Sequence, residues 1–185
     1  MARLYVLANV ATAWCLALVL LAAFAAQFLS GEPPCPLCLM QRIAMMMAAL
    51  GPLSVLVASA RGALSSREIA VGASIAILAS LLGACIATRQ VLLHILPGDP
   101  GFGAPMLGYH LYTWCLVVFV CTILAAALQL CGLTWFQGQA QGAPAIARVT
   151  ALLLGLVIVG NILSVIAEAG FAWHLPDNPT RYLLF

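Results

Sequence analysis

The chain has 185 residues, of which 65% are hydrophobic and 6% are charged, and its formal net charge is +2. Its mean hydropathy is +1.13. Soluble domains carry about a quarter charged residues, so this composition excludes an ordinary soluble protein and predicts an all-α integral membrane protein. All seven basic residues are Arg. So few separate charges do not form the basic surface that nucleic-acid binding requires, and we expect no nucleic-acid partner.

Five apolar segments are long enough to cross a hydrocarbon core about 30 Å thick, which takes about 20 residues of helix. They predict one transmembrane domain over residues 1–185, with a bundle of four helices and a fifth, C-terminal transmembrane helix. The predicted spans are residues 5–28, 39–60, 69–88, 111–131 and 149–167. The predicted outer loops are residues 29–38 and 89–110, and the predicted outer tail is 171–185.

The first segment follows Arg3, as the apolar core of a secretory signal peptide follows its basic residues. It is about twice the usual length of such a core and lacks a clear small-residue cleavage site. We therefore expect the segment to be retained as a helix.

The arginines are divided between the two ends of the predicted helices. With the N-terminus inside the cell, the inner arginines are Arg3, Arg61, Arg67 and Arg148, and the outer ones are Arg42, Arg89 and Arg181. This small excess favours the orientation in which the N-terminus is inside and both outer loops face outward. In a bacterial cell that outer side is the periplasm, where disulfides form and persist.

A Cys-x-x-Cys pair, Cys35 and Cys38, lies where the second segment begins. Three prolines restrict its backbone and predict a tight turn: Pro33, Pro34 and Pro36. We expect the helix to begin near Cys38 or Leu39, where unpaired N–H groups and the helix dipole favour a thiolate. Arg42 adds a positive charge one turn further on. Cys38 is thus the predicted reactive thiolate, and Cys35, nearer water, is the predicted target of a partner's thiol.

Two other uses of such a pair are a zinc site and a structural disulfide. A structural zinc site takes four ligands, and the sequence has no second Cys-x-x-Cys or Cys/His pair, so we predict no metal. A disulfide that closes so short a loop contributes little stability. The pair is therefore better explained by redox chemistry.

The residues Cys-Pro-Leu-Cys-Leu-Met-Gln-Arg, at 35–42, resemble the motif of the disulfide bond formation protein B (DsbB) family. The resemblance continues into Arg-Gln-Val-Leu-Leu-His-Ile-Leu-Pro, at 89–97, and reaches the helix predicted at 111–131. It implies a four-helix bundle of DsbB type and a bound quinone, ubiquinone or menaquinone, near the outer membrane face. Electrons would pass from a periplasmic thioredoxin-fold thiol oxidant, through the disulfide, to the membrane quinone pool.

The resemblance also implies roles by position. Cys38 would meet the quinone, and Cys35 would face thiol exchange. Arg42 would polarise the quinone and favour its reduced anion, while Arg89 and Gln90 would be further quinone contacts. The resulting prediction is a thiol:quinone oxidoreductase of the bacterial inner membrane, with its Cys-x-x-Cys pair on the periplasmic side.

The loop between the third and fourth predicted helices departs from this pattern. Well-studied members of the family carry a second cysteine pair there, which receives electrons from the partner. Residues 90–110 contain no cysteine, and Gly103 stands where the first would align. Either the partner attacks Cys35 directly, or the chain is a non-enzymatic membrane subunit or scaffold that retains the fold. A small transporter has little support, because no inverted repeat is visible.

Polar residues occur on one face of the fifth predicted helix: Asn161, Ser164 and Glu168. An ionisable residue in a membrane is costly and marks a functional hypothesis. We predict that Glu168 pairs with Arg42, Arg89 or His110. The alternative is that these polar groups form hydrogen bonds that only fix the fifth helix in the bundle.

Three smaller expectations concern packing. Small residues fill the third segment and predict close helix contacts there. The apolar run at 91–96 is too short to span and is expected to lie along the membrane surface above the site. The remaining five cysteines are predicted to be small apolar packing groups inside the helices: Cys15, Cys85, Cys115, Cys121 and Cys131.

Overall fold

The computed structural model describes residues 2–31, 33–136, 144–170, 179 and 182–184. Its helices are α1 (Ala2–Ser30), α2 (Pro36–Ala60), α3 (Ser66–Leu93), α4 (Leu111–Cys131) and α5 (Pro144–Ala169), with a 3₁₀ turn at Gly132–Trp135. All five α-helices are long and apolar enough to cross a membrane. The described residues contain no β-strand, and the predicted all-α bundle with a fifth helix is confirmed.

Two helix ends differ from the sequence prediction. Helix α2 begins at Pro36, inside the Cys-x-x-Cys pair, because proline suits the first position of a helix, where its missing N–H has no helical acceptor. Helix α3 continues to Leu93 and is capped at His94. The prediction that the whole run 91–96 lies along the membrane surface was therefore wrong, since its first half completes a transmembrane helix.

Close backbone approaches hold the centre of the bundle together. Gly51 of α2 lies against the backbone of Gly72 in α3, and a methyl group at either position would overlap the neighbouring helix. The ring of Phe119, which is fully buried in α4, fills the space above Gly83 of α3. Small residues permit such contacts between membrane helices, and the close packing predicted for the third segment is present.

Five helix ends meet at one end of the bundle. Gln27 near the end of α1 contacts both Arg42 in α2 and Ser164 in α5, and Gln41 in α2 contacts Gln90 in α3. Tyr112 at the start of α4 stacks on His94, the cap residue of α3. Polar side chains from separate helices are therefore collected at the end that carries the Cys-x-x-Cys pair.

Some parts of the chain lie outside the described residues. Most of the outer tail, including Arg181, is among them, as are residues 137–143 between α4 and α5. Leu183 and Leu184 of the tail are described, and their backbone N–H groups donate to the carbonyls of Glu168 and Ala167 at the end of α5.

Candidate functional site

The Cys-x-x-Cys pair forms the N-terminus of α2. Cys35 is the N-cap residue, with extended backbone, and its sulfur accepts a hydrogen bond from the backbone N–H of Cys38 at 3.2 Å. Pro36 occupies the first helical position. Cys38 therefore lies in the first helical turn, where unpaired N–H groups favour negative charge.

Gln90 of α3 lies between the two sulfurs. Its side-chain nitrogen is 3.3 Å from the Cys35 sulfur and 3.5 Å from the Cys38 sulfur. Its oxygen accepts a hydrogen bond of 2.7 Å from the side-chain nitrogen of Gln41. Both amides are almost fully buried. Because Gln41 donates to the oxygen, the donating end of the Gln90 amide faces the sulfurs.

Cys35 is the more enclosed of the two cysteines. It is 5% exposed, whereas Cys38 is half-buried. The prediction that Cys35 lies nearer water was wrong, because as the N-cap its sulfur turns inward to the N–H of Cys38. Hydrogen bonding with Cys38 and burial raise the pKa of the Cys35 thiol above its usual range. Both effects favour the neutral thiol of Cys35 over its thiolate.

Arg42 is buried one turn beyond Cys38. Its guanidinium donates to the side-chain oxygen of Gln27 at 2.6 Å and to the carbonyl of Ala23 at 3.1 Å. It also lies over the ring of Phe24, 5.1 Å from the ring centroid. Buried charge is tolerated where hydrogen bonds and an aromatic face compensate it. Three residues of α1, Ala23, Phe24 and Gln27, therefore hold the Arg42 guanidinium in place.

The two sulfurs line different cavities. The Arg42 cavity is bordered by Gln27, Cys38, Gln41, Arg42, Tyr112 and Cys115, among others. The Cys35 depression is bordered by Cys35, Arg89, Gln90, His94, Asp99 and Gly101, among others. Phe102 and Gly103 line both. One cysteine of the pair thus faces each cavity, and a short piece of the outer loop separates the two.

Histidines and an aspartate organise the outer loop between α3 and α4. The carboxylate of Asp99 accepts from the N–H of Gly101 at 2.8 Å and lies 3.0 Å from His94 Nδ1. Those two contacts hold the pKa of Asp99 below its usual range. The ring of Tyr112 stacks between the rings of His94 and His110, at 5.7 and 5.3 Å. These contacts set the position of the wall that both cavities share.

A family model described as disulfide bond formation protein DsbB matches residues 4–104, more than half of the chain. The chain belongs to the DsbB family. A curated relative, disulfide bond formation protein B of Chromobacterium violaceum, is 40% identical over 77 residues, which cover 42% of this chain and 44% of the relative. The match thus spans less than half the length of that relative. No solved structure matches the chain.

The outer loop of this DsbB-family chain contains no cysteine, since all seven cysteines lie elsewhere. At Gly103, where the first of a second pair would align, the backbone carbonyl instead accepts a hydrogen bond of 3.0 Å from His110 Nδ1. This histidine contact fixes the position of Gly103 in the loop.

Of the three predicted quinone contacts, only Arg42 borders the Arg42 cavity, whereas Arg89 and Gln90 line the Cys35 depression. Arg89 is exposed at the end of α3. Gln90, its neighbour in sequence, points the other way on the helix and contacts both sulfurs. The structure therefore brings together Cys35, Cys38 and Gln90, with Arg42 on the Cys38 side.

The ion pair predicted for Glu168 is not formed. Glu168 is fully buried, and neither carboxyl oxygen has a hydrogen-bond partner among the described residues. Arg42 donates to Gln27 and Ala23 instead, because α1 inserts its polar groups beside the guanidinium. Ser164, one turn earlier in α5, accepts a hydrogen bond from Gln27. For Ser164, the alternative prediction is confirmed: its hydroxyl forms a hydrogen bond between α1 and α5.

The five other cysteines divide into two groups. Cys15, Cys85, Cys121 and Cys131 are exposed on the outside of the bundle, so the prediction of packing inside it was wrong for them. Lipid tails are as apolar as a protein core, so a small apolar side chain is not driven inward. Cys115 lines the Arg42 cavity together with Cys38.

Two glutamines of the site were not given a role by sequence reasoning. Gln41 was noted within the motif, and its position next to Arg42 was the available signal, but only the structure joins it to Gln90. Gln27 carried no local signal, apart from being an uncharged polar residue near the end of an apolar span. Such a residue is costly in a membrane unless another helix supplies its partners.

We expect Gln90→Leu to lower the reduction potential of the Cys35–Cys38 pair. Gln90 donates toward both sulfurs, and a thiolate at Cys38 exists only in the reduced state, so losing the donor removes stabilisation of that state. A loss of about 1.4 kcal/mol corresponds to a shift of about 30 mV. Equilibration with glutathione buffers would measure the potential. Gln41→Leu is the matched control and should shift it less, while an unchanged or higher potential in Gln90→Leu would contradict the role.

Proposed function

We propose that this chain is a membrane protein-dithiol:quinone oxidoreductase of the bacterial inner membrane. It oxidises a periplasmic thioredoxin-fold dithiol protein through the Cys35–Cys38 disulfide and passes the electrons to ubiquinone or menaquinone of the membrane pool. Cys35 and Cys38 are the proposed catalytic residues. The observation that carries the proposal is that the two sulfurs of one redox pair line two different cavities.

The thiol step begins in the Cys35 depression. A partner thiolate attacks the Cys35 sulfur, which forms a partner–Cys35 disulfide and releases Cys38 as a thiolate. Cys38 is the better leaving group because it lies in the first turn of α2, where negative charge is favoured. The partner's second thiol then displaces Cys35. The partner has gained a disulfide, the chain has gained two thiols, and one electron pair has moved.

The quinone step belongs to the Arg42 cavity. When bound, a quinone accepts two electrons and two protons, the number released when two thiols form the Cys35–Cys38 disulfide again. The donors present suit such a ligand: the cavity combines apolar walls, the Tyr112 ring, the Cys38 sulfur and one buried guanidinium. Arg42 favours negative charge that develops next to it, as fixed cations do in water-poor sites. Gln90 contacts the pair from the α3 side, and we assign Arg89 to the partner-facing depression.

The orientation of the protein follows from its charges and its chemistry. The arginine distribution favours an inner N-terminus, which turns the Cys-x-x-Cys end of the bundle outward. That outer side is the periplasm, where the disulfides of secreted proteins form. A strong periplasmic dithiol oxidant near about −120 mV requires a still more oxidising acceptor, and quinone serves this purpose in bacteria.

One observation favours a second function. The loop of residues 89–110 has no cysteine pair to relay electrons from a partner. The absence of that pair is what a scaffold with a decayed relay would show. A non-enzymatic membrane subunit is therefore the alternative function. The close contacts of Gln90 with both sulfurs and the buried Arg42 favour the enzyme, because a scaffold has no need of either.

The direct test is quinone reduction by the purified full-length chain supplied with a reduced thioredoxin-fold dithiol protein. Absorbance would follow loss of a short-chain ubiquinone, and free thiol titration would follow the partner. We expect one quinone reduced for each partner disulfide formed. Absence of turnover with several partners and with both quinone types would refute the proposed enzyme activity and favour the scaffold function.

We expect Cys115→Phe to block quinone binding by filling the Arg42 cavity, which Cys115 lines. A phenyl ring in this cavity, whose volume is about 110 Å³, would take the space proposed for the quinone ring, and we expect affinity to fall at least about tenfold. Cys121→Phe is the matched control on the same helix, because Cys121 is exposed on the outside of the bundle. Fluorescence titration with a short-chain quinone measures both variants. Equal affinities in the two would place the quinone elsewhere.

A further inference from the structure

Among the described residues, Gln27 is the only one whose side chain accepts a hydrogen bond from the Arg42 guanidinium. The bond is short, at 2.6 Å, and Gln27 is 3% exposed while Arg42 is 8% exposed. Arginine donates hydrogen bonds and accepts none. The oxygen of the Gln27 amide must therefore face Arg42, and its nitrogen must face away from it.

The nitrogen of the same amide is bound from the other side. It donates to the hydroxyl oxygen of Ser164 and to that of Tyr182, each at 2.9 Å. Both ends of the Gln27 amide are thus engaged, and rotating it by half a turn would set its NH₂ group against the guanidinium. The two hydroxyls therefore fix the amide in the orientation that Arg42 requires.

Tyr182 precedes two residues that are hydrogen-bonded to the end of α5. Gly170 adopts a left-handed backbone, with φ +57°, and its N–H donates to the carbonyl of Ile166 at 2.8 Å, which ends the helix. Residues 183 and 184 then bond to the last carbonyls of α5 at 3.1 Å. Ser164 and Tyr182 both lie beyond residues 4–104, which the family model matches. Residues outside the match thus contact Gln27, which in turn contacts Arg42.

We infer that Gln27 is a positioning residue for Arg42, and that Ser164 of α5 and Tyr182 of the tail hold Gln27 in the orientation this requires. The inference rests on the proposed function in one respect, the action of Arg42 on a bound quinone. An arginine side chain has many rotamers, and ordering it at the moment of binding costs affinity. The hydrogen-bonded chain from α5 through Gln27 orders the guanidinium in advance.

The test compares three variants of the full-length protein. Gln27→Leu removes the acceptor, and the double variant Ser164→Ala with Tyr182→Phe removes only the two hydroxyls behind it. The control is Thr150→Val, which removes the other described side-chain hydrogen bond between α1 and α5, from Trp14 at 3.0 Å, without touching Arg42. The double variant changes few atoms, so it remains informative if Gln27→Leu fails to fold.

Two measurements report on Arg42 itself. The dissociation constant of a short-chain ubiquinone should rise about tenfold in Gln27→Leu and severalfold in the double variant, as expected for lost hydrogen bonds to a charged group. Modification of Arg42 by phenylglyoxal, followed by mass spectrometry, should be faster in both. Neither quantity should change in Thr150→Val. The single-turnover reaction of the disulfide with a partner dithiol should stay at the wild-type rate in all variants.

Two results would overturn the inference: Thr150→Val matching the loss of the other variants, or the double variant matching wild type in both measurements. Failure of the proposed function looks different. Wild-type protein that neither binds nor reduces quinone would refute that function, and the phenylglyoxal rates would still decide whether α5 holds Arg42.

Discussion

Replacing either cysteine of the pair, Cys35→Ser or Cys38→Ser, is expected to lower dithiol-dependent quinone reduction by at least about a thousandfold. Neither variant can form the Cys35–Cys38 disulfide, so no electron pair can pass from a partner to a quinone. Cys121→Ser is the control, since that thiol is exposed on the outside of the bundle. Turnover retained in either variant would show that another thiol carries the reaction.

The same two variants test which sulfur the partner attacks. Each remaining cysteine of the pair can be converted to a mixed disulfide with thionitrobenzoate, whose release is coloured. A partner thiol should release the dye from Cys35 at least about tenfold faster than from Cys38, because thiol exchange requires that the partner reach the sulfur. Although Cys35 is the less exposed residue, its sulfur borders a cavity of about 950 Å³, whereas Cys38 borders one of about 110 Å³. Cys35 lines the outer depression, whereas Cys38 lines the Arg42 cavity. Faster release from Cys38 would reverse the assigned roles.

Arg42→Met is expected to lower quinone reduction by about a hundredfold, the size of effect that follows removal of a charge-stabilising donor from an enclosed site. The reaction between the disulfide and a partner dithiol should keep its rate, because Arg42 borders the other cavity. Stopped-flow measurement of each half-reaction separates the two. Loss of the thiol half-reaction together with quinone reduction would indicate damage to the fold, and an unchanged quinone rate would remove Arg42 from the site.

Arg89→Met provides the comparison. Arg89 lines the Cys35 depression, so its loss should raise the KM for the partner dithiol and leave the quinone KM unchanged. Arg42→Met should show the opposite pattern. The two arginines are outer charges of the same sign on neighbouring helices, and only their cavities distinguish them. A raised quinone KM in Arg89→Met would restore the role that the family resemblance implied for it.

Local patterns predicted the parts of the site that lie close together in sequence. Cys35, Cys38 and Arg42 lie within two helical turns of one another. Their relative positions depend only on their spacing in the sequence, and so could be predicted from it. The sequence predicts the start of α2 near Cys38 or Leu39, two or three residues too late, because proline is typical of turns as well as of the first position of a helix. In the structure Pro36 starts the helix and makes Cys35 the N-cap.

Contacts between distant segments could not be predicted in this way. Gln90 is separated from Cys38 by 52 positions and Gln27 from Ser164 by 137. The expected pairing of Glu168 with an arginine failed because α1 supplies neutral acceptors to Arg42. Charge and depth suggested that pair, but neither specifies which helix lies between two residues.

The amino-acid sequence by itself determined that the chain has five helices long and apolar enough to cross a membrane, and that a Cys-x-x-Cys pair lies at the start of the second. Hydropathy and helical spacing are properties of short segments, so no partner segment is needed to recognise them. Only the tertiary structure decided that Cys35 and Cys38 line different cavities, that Gln90 lies between their sulfurs, and that α5 holds Gln27. Those arrangements depend on how helices pack against one another, and that packing is set by the whole bundle at once.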